Sequence, residues 1–444
     1  MKTVVGSPSS SSSSKRKLKP KTREIRKNQI NVIDHISDDT MFEIFNHLSL
    51  KQNFQLKLLS KKWYSRLSSP NFINRTLNVC TFFYRLRAVR RRRPRPFPIV
   101  FSLHSDSSDH FISDQQHIHQ GFSFEFLPKS MRTQLCLLGS SCGLVLCRCS
   151  HPVINEYQFF ICNPLTRKWV WLPDCDDSVS DDDSHVLVCE SPSTSNSTPT
   201  AYKVVRLPEI RISTKKFYVR IFSSDTGKWK NYKVLCSDKI TMLYDHNRKV
   251  VGDQNGCLYW IIEGNKIMVY DLKSNVGGCG ECYLIDLPKN EEEDDHNSVT
   301  ATRSCLTESE GFIFYLRIDG RQMKFSVWLL EMEKDESSEQ WSWKLVHNLE
   351  LIKMLAGYDW DNTRITHMKP LGFSPMDTCL VFLQSEKYIL MCNISTGRSE
   401  LLSLSSQFHG RLSSYRFEVL PFLSTTMPTT IPGLREDSSG SHKV

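Results

Sequence analysis

The chain has 444 residues, 39% hydrophobic and 11% aromatic, and its 57 Lys plus Arg against 48 Asp plus Glu give a net charge of +9. That apolar content excludes wholesale disorder, and 19 Gly and 19 Pro are too few for a collagen-like or low-complexity chain. No stretch approaches the ~20 apolar residues that cross a bilayer, and the start carries no apolar leader core, so the 15 cysteines are expected as reduced, mostly buried thiols of a nuclear or cytoplasmic protein.

Residues 1–30 read as a disordered Ser-rich and then basic tail, in which the run Lys15 to Lys21 suits either a solvated segment or a nuclear-import signal. Residues 31–78 read as helical. Residues 79–100 form an Arg/Pro-rich stretch expected to be a stiff linker. From 101 to 423 the texture is short β-like runs between turn residues, and 424–444 is a polar tail expected to fray. Residues 15–27 and 85–96 contribute +7 each, which leaves −5 for all other residues. Basic charge confined to two segments of low hydrophobicity does not match a nucleic-acid-binding face, so neither nucleic acid nor membrane is an expected partner.

In the helical block, Ser37, Asp38 and Asp39 are natural N-cap and first-turn residues. Their oxygens accept free backbone N–H groups, and their charge suits the positive helix end. Met41, Ile44, Phe45 and Leu48 follow at helical spacing as one apolar stripe. Ser49 can cap a second helix bearing Phe54, Leu58 and Leu59, and Trp63, Tyr64 and Leu67 lie beyond Lys61-Lys62. So few residues cannot bury much surface alone, so the block needs a partner protein or must dock on the rest of the chain.

Residues 36–72 resemble an F-box, the motif that binds the Skp adaptor of cullin–RING ubiquitin ligases. The resemblance rests on Asp38-Asp39, Glu43-Ile44, Leu48, Leu50-Lys51, Ser60-Lys61-Lys62-Trp63 and Ser68-Ser69-Pro70-Asn71-Phe72, in order and without a gap. It implies that Ile36, Ile44, Leu48, Leu59 and Trp63 face the adaptor. Departures from the pattern are Ile36-Ser37 for the opening Leu-Pro, Ser49 for the second Pro, and polar Thr40 and Asn53 at usually apolar places. Burying one large apolar side chain is worth about 1.5–3 kcal/mol, so these departures bear on the tightness of adaptor binding.

The β region carries a recurring pattern: a Gly-led apolar strand, then a second strand ending at an Asn or Asp turn, often with Thr and Trp beyond. The clearest copy runs from Ser141-Cys142-Gly143-Leu144 to Asn163-Pro164-Leu165-Thr166 and Trp169. With Asn163, Ser223, Asp271, Glu331 and Asn393 taken as equivalent, the spacings are 60, 48, 60 and 62 residues. That is near a kelch period of about 50 lengthened by loops. A four-stranded sheet cannot bury both faces alone, so such units are expected to pack radially into a kelch-like β-propeller of about six blades. A β-sandwich with coincidental spacing is the alternative.

The first copy also resembles the plant F-box-associated region, which is kelch-like. The fold expected is therefore a small all-α F-box domain followed by a large all-β propeller. The function this resemblance implies is that of a non-catalytic substrate-recognition subunit of an SCF-type ubiquitin ligase. Its partners would be a Skp-family adaptor and, through it, cullin and RING subunits, with a target protein on the propeller. Two other readings stand beside it: a propeller-fold enzyme, marked by carboxylates and histidines converging on a central pocket, or a nuclear scaffold or nucleic-acid binder using the Arg-rich segments. Cys279-Gly280-Glu281-Cys282 is a lone pair with no second pair at zinc-site spacing, and Cys147, Cys149 and His151 alternate as strand residues do. The Asp-rich run 174–183 lacks the ordered glycine of a calcium loop. No metal, cofactor or catalytic residue is expected.

Overall fold

The computed structural model describes most of residues 124–402, residues 431–432, and strands within 80–105 and at 415–423 by their backbone. Before residue 79 it describes Ser37, Thr40, Met41, Ile44, Leu56, Leu59 and residues 61–67. The chain divides into two compact units, Met1–Phe72 and Ile73–Val444.

The second unit is built from repeated antiparallel meanders. Cys136–Ser141, Leu144–Ser150, Tyr157–Asn163 and Lys168–Trp171 pair in sequence order as one four-stranded sheet. The same order recurs in Ser184–Glu190, Ala201–Leu207, Ile210–Ser223 and Lys228–Met242, and again in Val251–Gly252, Cys257–Ile262, Lys266–Asp271 and Cys279–Asp286. A fourth sheet comprises Thr302–Ser309, Phe312–Asp319, Lys324–Asp335 and Ser338–Glu350. A fifth comprises Lys369–Ser374, Asp377–Gln384, Ile389–Asn393 and Arg398–Leu402. The first strands of these five sheets lie against one another in succession, and Tyr415–Leu423 lies against the first of them. Sheets arranged with their opening strands side by side around an axis are the blades of a β-propeller, and the fold expected from the repeat is the one observed.

The sixth blade joins the two ends of the unit. Tyr415–Leu423 pairs antiparallel with Cys80–Ala88, from Cys80 opposite Leu423 to Ala88 opposite Tyr415, and Phe97–Phe101 pairs on the other edge of Cys80–Ala88. The stretch expected to be a linker, 79–100, thus holds strands. The physical reason lies in Phe82, Phe83, Tyr84 and Leu86, apolar and aromatic residues of high strand propensity that the arginine count hides. Within the stretch expected to fray, Ile431 is 2% exposed and packs into the core between the first two blades.

The five positions taken as equivalent all fall on the third strand of their blades. Asn163, Ser223, Asp271 and Asn393 end that strand, and Glu331 lies within it. The acceptor side chains explain the pattern: Asn163 Oδ1 accepts from the Thr166 N–H at 3.1 Å, and Asn393 Oδ1 accepts from Ser395 and Thr396 at 3.0 and 2.9 Å, closing the turn to the fourth strand. The Gly-led signature has its own cause. Cys142-Gly143 and Glu310-Gly311 each place two successive residues at positive φ (47° and 76°, 53° and 87°), the requirement of a two-residue hairpin turn whose twist matches the strands.

Adjacent blades are tied by the same kind of bond in two places. The Trp229 indole N–H donates to the Pro173 carbonyl at 2.9 Å, and that of Trp343 donates to the Asp286 carbonyl at 2.9 Å. Each tryptophan sits on a fourth strand and reaches back to the end of the preceding blade's fourth strand. The second and third blades are joined further. Lys228–Met242 and Cys279–Asp286 pair in parallel, so the two blades form one continuous eight-stranded sheet. This register sets Cys236 opposite Cys282, and the two are bonded as a disulfide. The expectation of reduced thiols does not hold for that pair, and Cys279 to Cys282 lies in a strand.

Candidate functional site

In the first unit, Ser37 caps a helix. Its Oγ accepts from the Thr40 N–H at 3.2 Å, and its carbonyl accepts from the Met41 N–H at 3.0 Å. This is the capping role its hydroxyl suits, so serine in place of proline leaves the helix start intact. The apolar stripe divides. Met41 is 3% exposed, whereas Ile44, one turn on, is 46% exposed. Leu59 closes a turn on the Leu56 carbonyl and is 70% exposed. Lys61–Leu67 is helical, with Trp63 half-buried and Tyr64 47% exposed. Of the residues implied to face an adaptor, Ile44, Leu59 and Trp63 are thus placed, and Ile36 and Leu48 lie outside the described residues. Tyr64 was not among them; its signal in the sequence is its place beside Trp63 on a short helix.

A unit this small that leaves Ile44, Leu59 and Tyr64 in water has apolar surface to offer. Covering one such side chain fully is worth about 1.5–3 kcal/mol.

In the propeller, the first strands of neighbouring blades are bonded through hydroxyls. The Cys189 N–H donates to Ser141 Oγ at 3.3 Å, the Phe373 N–H to Thr307 Oγ1 at 3.2 Å, and Ser309 Oγ to the Ser374 carbonyl at 2.5 Å. Glu308 lies on the first strand of the fourth blade. Burial, and after it the charge of Asp253, raises its carboxyl to about 7 against the Gly311 N–H that favours the ionised form. His185 is held neutral, with its pKa lowered to about 3 by burial and then by the positive charges of Arg148 and Arg206. Its Nδ1 lies 3.0 Å from the Asp183 carbonyl, and Asp183 forms a buried ion pair with Arg206. These groups are engaged in packing between strands. Among the described residues no three His, Cys, Asp or Glu side chains are grouped to hold a metal ion. Cys147 and Cys162 lie 3.7 Å apart on neighbouring strands of the first blade, and burial holds the Cys147 thiol well above its ordinary range.

Comparison with known proteins places both units. Residues 33–75 match the F-box domain profile. Residues 117–419, more than half of the chain, match the family described as F-box protein At3g26010-like, beta-propeller. The chain is similar to F-box protein At5g07610 of Arabidopsis thaliana, 22% identical over 80% of both chains. It is also similar to F-box protein At3g26010 of the same plant, 24% identical over 83% of this chain and 79% of that one. F-box protein At5g03970, again from Arabidopsis thaliana, is 24% identical over 88% of each. An N-terminal helical unit with exposed apolar side chains, a propeller of successive antiparallel blades and the two profile matches agree: this chain belongs to the F-box protein At3g26010-like β-propeller family.

Proposed function

We propose that the protein is the substrate-recognition subunit of a Skp–cullin–F-box ubiquitin ligase. Its first unit holds a Skp-family adaptor through Ile36, Ile44, Leu48, Leu59 and Trp63, and its propeller holds the target. It contributes no catalytic group. Catalysis is proximity: target lysines are kept near a charged ubiquitin carrier on another subunit, which raises their effective concentration. The cell compartment is nuclear, cytoplasmic or both.

The observation that carries this reading is the exposure of Ile44 and Leu59 beside a buried Met41, inside residues that match the F-box profile. Replacing Ile44 and Leu48 together by Asp tests it, because two carboxylates cannot be buried in an apolar interface without partners. The expected result is loss of co-purification with the Skp adaptor while the thermal transition of the propeller stays in place. Undiminished recovery of the adaptor refutes the role assigned to the helices.

A further inference from the structure

The second blade carries a long and strongly basic outer hairpin. Ile210–Ser223 and Lys228–Met242 have 14 and 15 residues, against 7 and 4 for the matching strands of the first blade. Residues 210–242 hold eight Lys or Arg and two Asp, a charge of +6. With this hairpin and the two N-terminal basic segments set aside, the remaining residues sum to −11. These cations are spread over both sides of the hairpin, and strand register places Lys216, Arg220 and Lys233 on one side of it.

The first blade covers part of that face. Phe222 and Tyr202 pack with Leu172 in the core between the first two blades, and Trp229 lies against them. Further along the hairpin the same face carries exposed side chains. Lys216 stands beside Leu235, and Tyr218 beside Lys233, as cross-strand partners on one side of the sheet. Tyr218 and Leu235 are 56% and 42% exposed. The next residues on the other side, Phe217, Val219 and Val234, are buried in the core. Lys216 Nζ lies 5.8 Å from the Tyr218 ring centre. Among the described residues no carboxylate lies within ion-pair distance of Lys216 or Lys233, whereas Arg211 pairs with Glu209 and Lys215 donates to the Ser237 carbonyl.

We propose that this checkered face, cation beside apolar side chain, is where the propeller takes its target. The matching ligand is an acidic protein segment in which carboxylates alternate with aliphatic or aromatic residues. This deepens the ligase-subunit reading and rests on it. One feature favours such a segment over nucleic acid: Leu235, cross-strand from Lys216, offers aliphatic contact to a peptide side chain but no stacking surface for a base. Charge complementarity of this kind governs encounter rate and partner choice, and the apolar pair supplies the contact that excludes water.

The test uses the full chain with its Skp adaptor and two short fluorescein-labelled probes. One is a peptide of Glu alternating with Leu; the other has Ser in place of Leu. Fluorescence anisotropy is expected to show binding of the Glu/Leu peptide that weakens with salt. Lys216→Glu with Lys233→Glu should reduce it at least about tenfold, whereas Lys353→Glu, at an exposed position outside the hairpin, leaves it unchanged. Leu235→Ser should bring the Glu/Leu peptide down to the affinity of the Glu/Ser peptide. If the double reversal does not fold, Lys216→Ser with Lys233→Ser is read in the same way. Unchanged affinity after the lysine replacements overturns the proposal, and so does tighter binding of a single-stranded oligonucleotide by the same lysines. Adaptor co-purification is scored on the same samples. A wild-type chain that binds the peptide but no adaptor sinks the ligase reading and leaves the face as a peptide site; the converse sinks only the face.

Discussion

The two units of this protein put similar apolar side chains to opposite uses. In the propeller, Leu144, Val145, Leu146 and Phe160 of the first blade are all fully buried, because each blade covers the face of the next. In the helical unit, Met41 is buried but Ile44 and Leu59 stay largely in water. A succession of packed sheets completes its own core, whereas a few short helices do not have enough neighbours to do so. The contrast teaches that exposure is functional information only when measured against what the local architecture can bury.

The largest expected effect lies where the propeller is tightest. Phe160→Ala removes a ring packed edge-on to Trp171, with centroids 5.4 Å apart, and should cost about 3–5 kcal/mol, read by chemical denaturation of the propeller transition. An unchanged midpoint would mean that the blades do not share one core. Gly372 sits at φ +138°, and a Cβ there would stand 2.8 Å from Thr307 Oγ1 of the neighbouring blade, so Gly372→Ala should destabilise by about 1–3 kcal/mol.

Glu308 sharpens the comparison by pH. Its folded pKa of about 7 lies above the ordinary carboxylate value, so the folded state holds the proton more tightly than the unfolded one. Its contribution to stability is whole below the unfolded value and is lost as pH rises through about 7. The melting temperature of the propeller should therefore fall between pH 5 and pH 8, and Glu308→Gln should flatten that slope while keeping an acceptor for the Gly311 N–H. Smaller still, Trp343→Phe removes the bond to the Asp286 carbonyl and should cost about 0.5–1.5 kcal/mol net, with Trp229→Phe matching it. The smallest effect on stability is expected in the helical unit. Leu59→Ser should change unfolding by no more than about 0.5 kcal/mol while weakening adaptor recovery, a split that no propeller-core variant should show.

Much of this was legible in the residues. The capping role of Ser37 follows from a hydroxyl placed before an apolar stripe. The equivalence of Asn163 and Asn393 follows from turn chemistry, an acceptor side chain closing the turn to the next strand, whereas Glu331 shares with them only its place on the third strand. Glycines at 143 and 311 mark two-residue turns because their backbone needs positive φ. All of these are local requirements, met within a few residues of chain. The face carrying Lys216, Tyr218, Lys233 and Leu235 was hidden, because two lysines among many say nothing until strand register sets them beside apolar neighbours.

What the chain determined alone is therefore the repeating hairpin and the capped helix start at Ser37, since each is written in spacing and side-chain chemistry. What tertiary structure decided is how distant pieces meet. Cys80–Ala88 pairs with Tyr415–Leu423 across nearly the whole second unit, and the second and third blades merge into one sheet through Lys233 opposite Cys279. Local propensity cannot choose a partner strand hundreds of residues away. That choice falls to the closure of the core, which only the assembled sheets can satisfy.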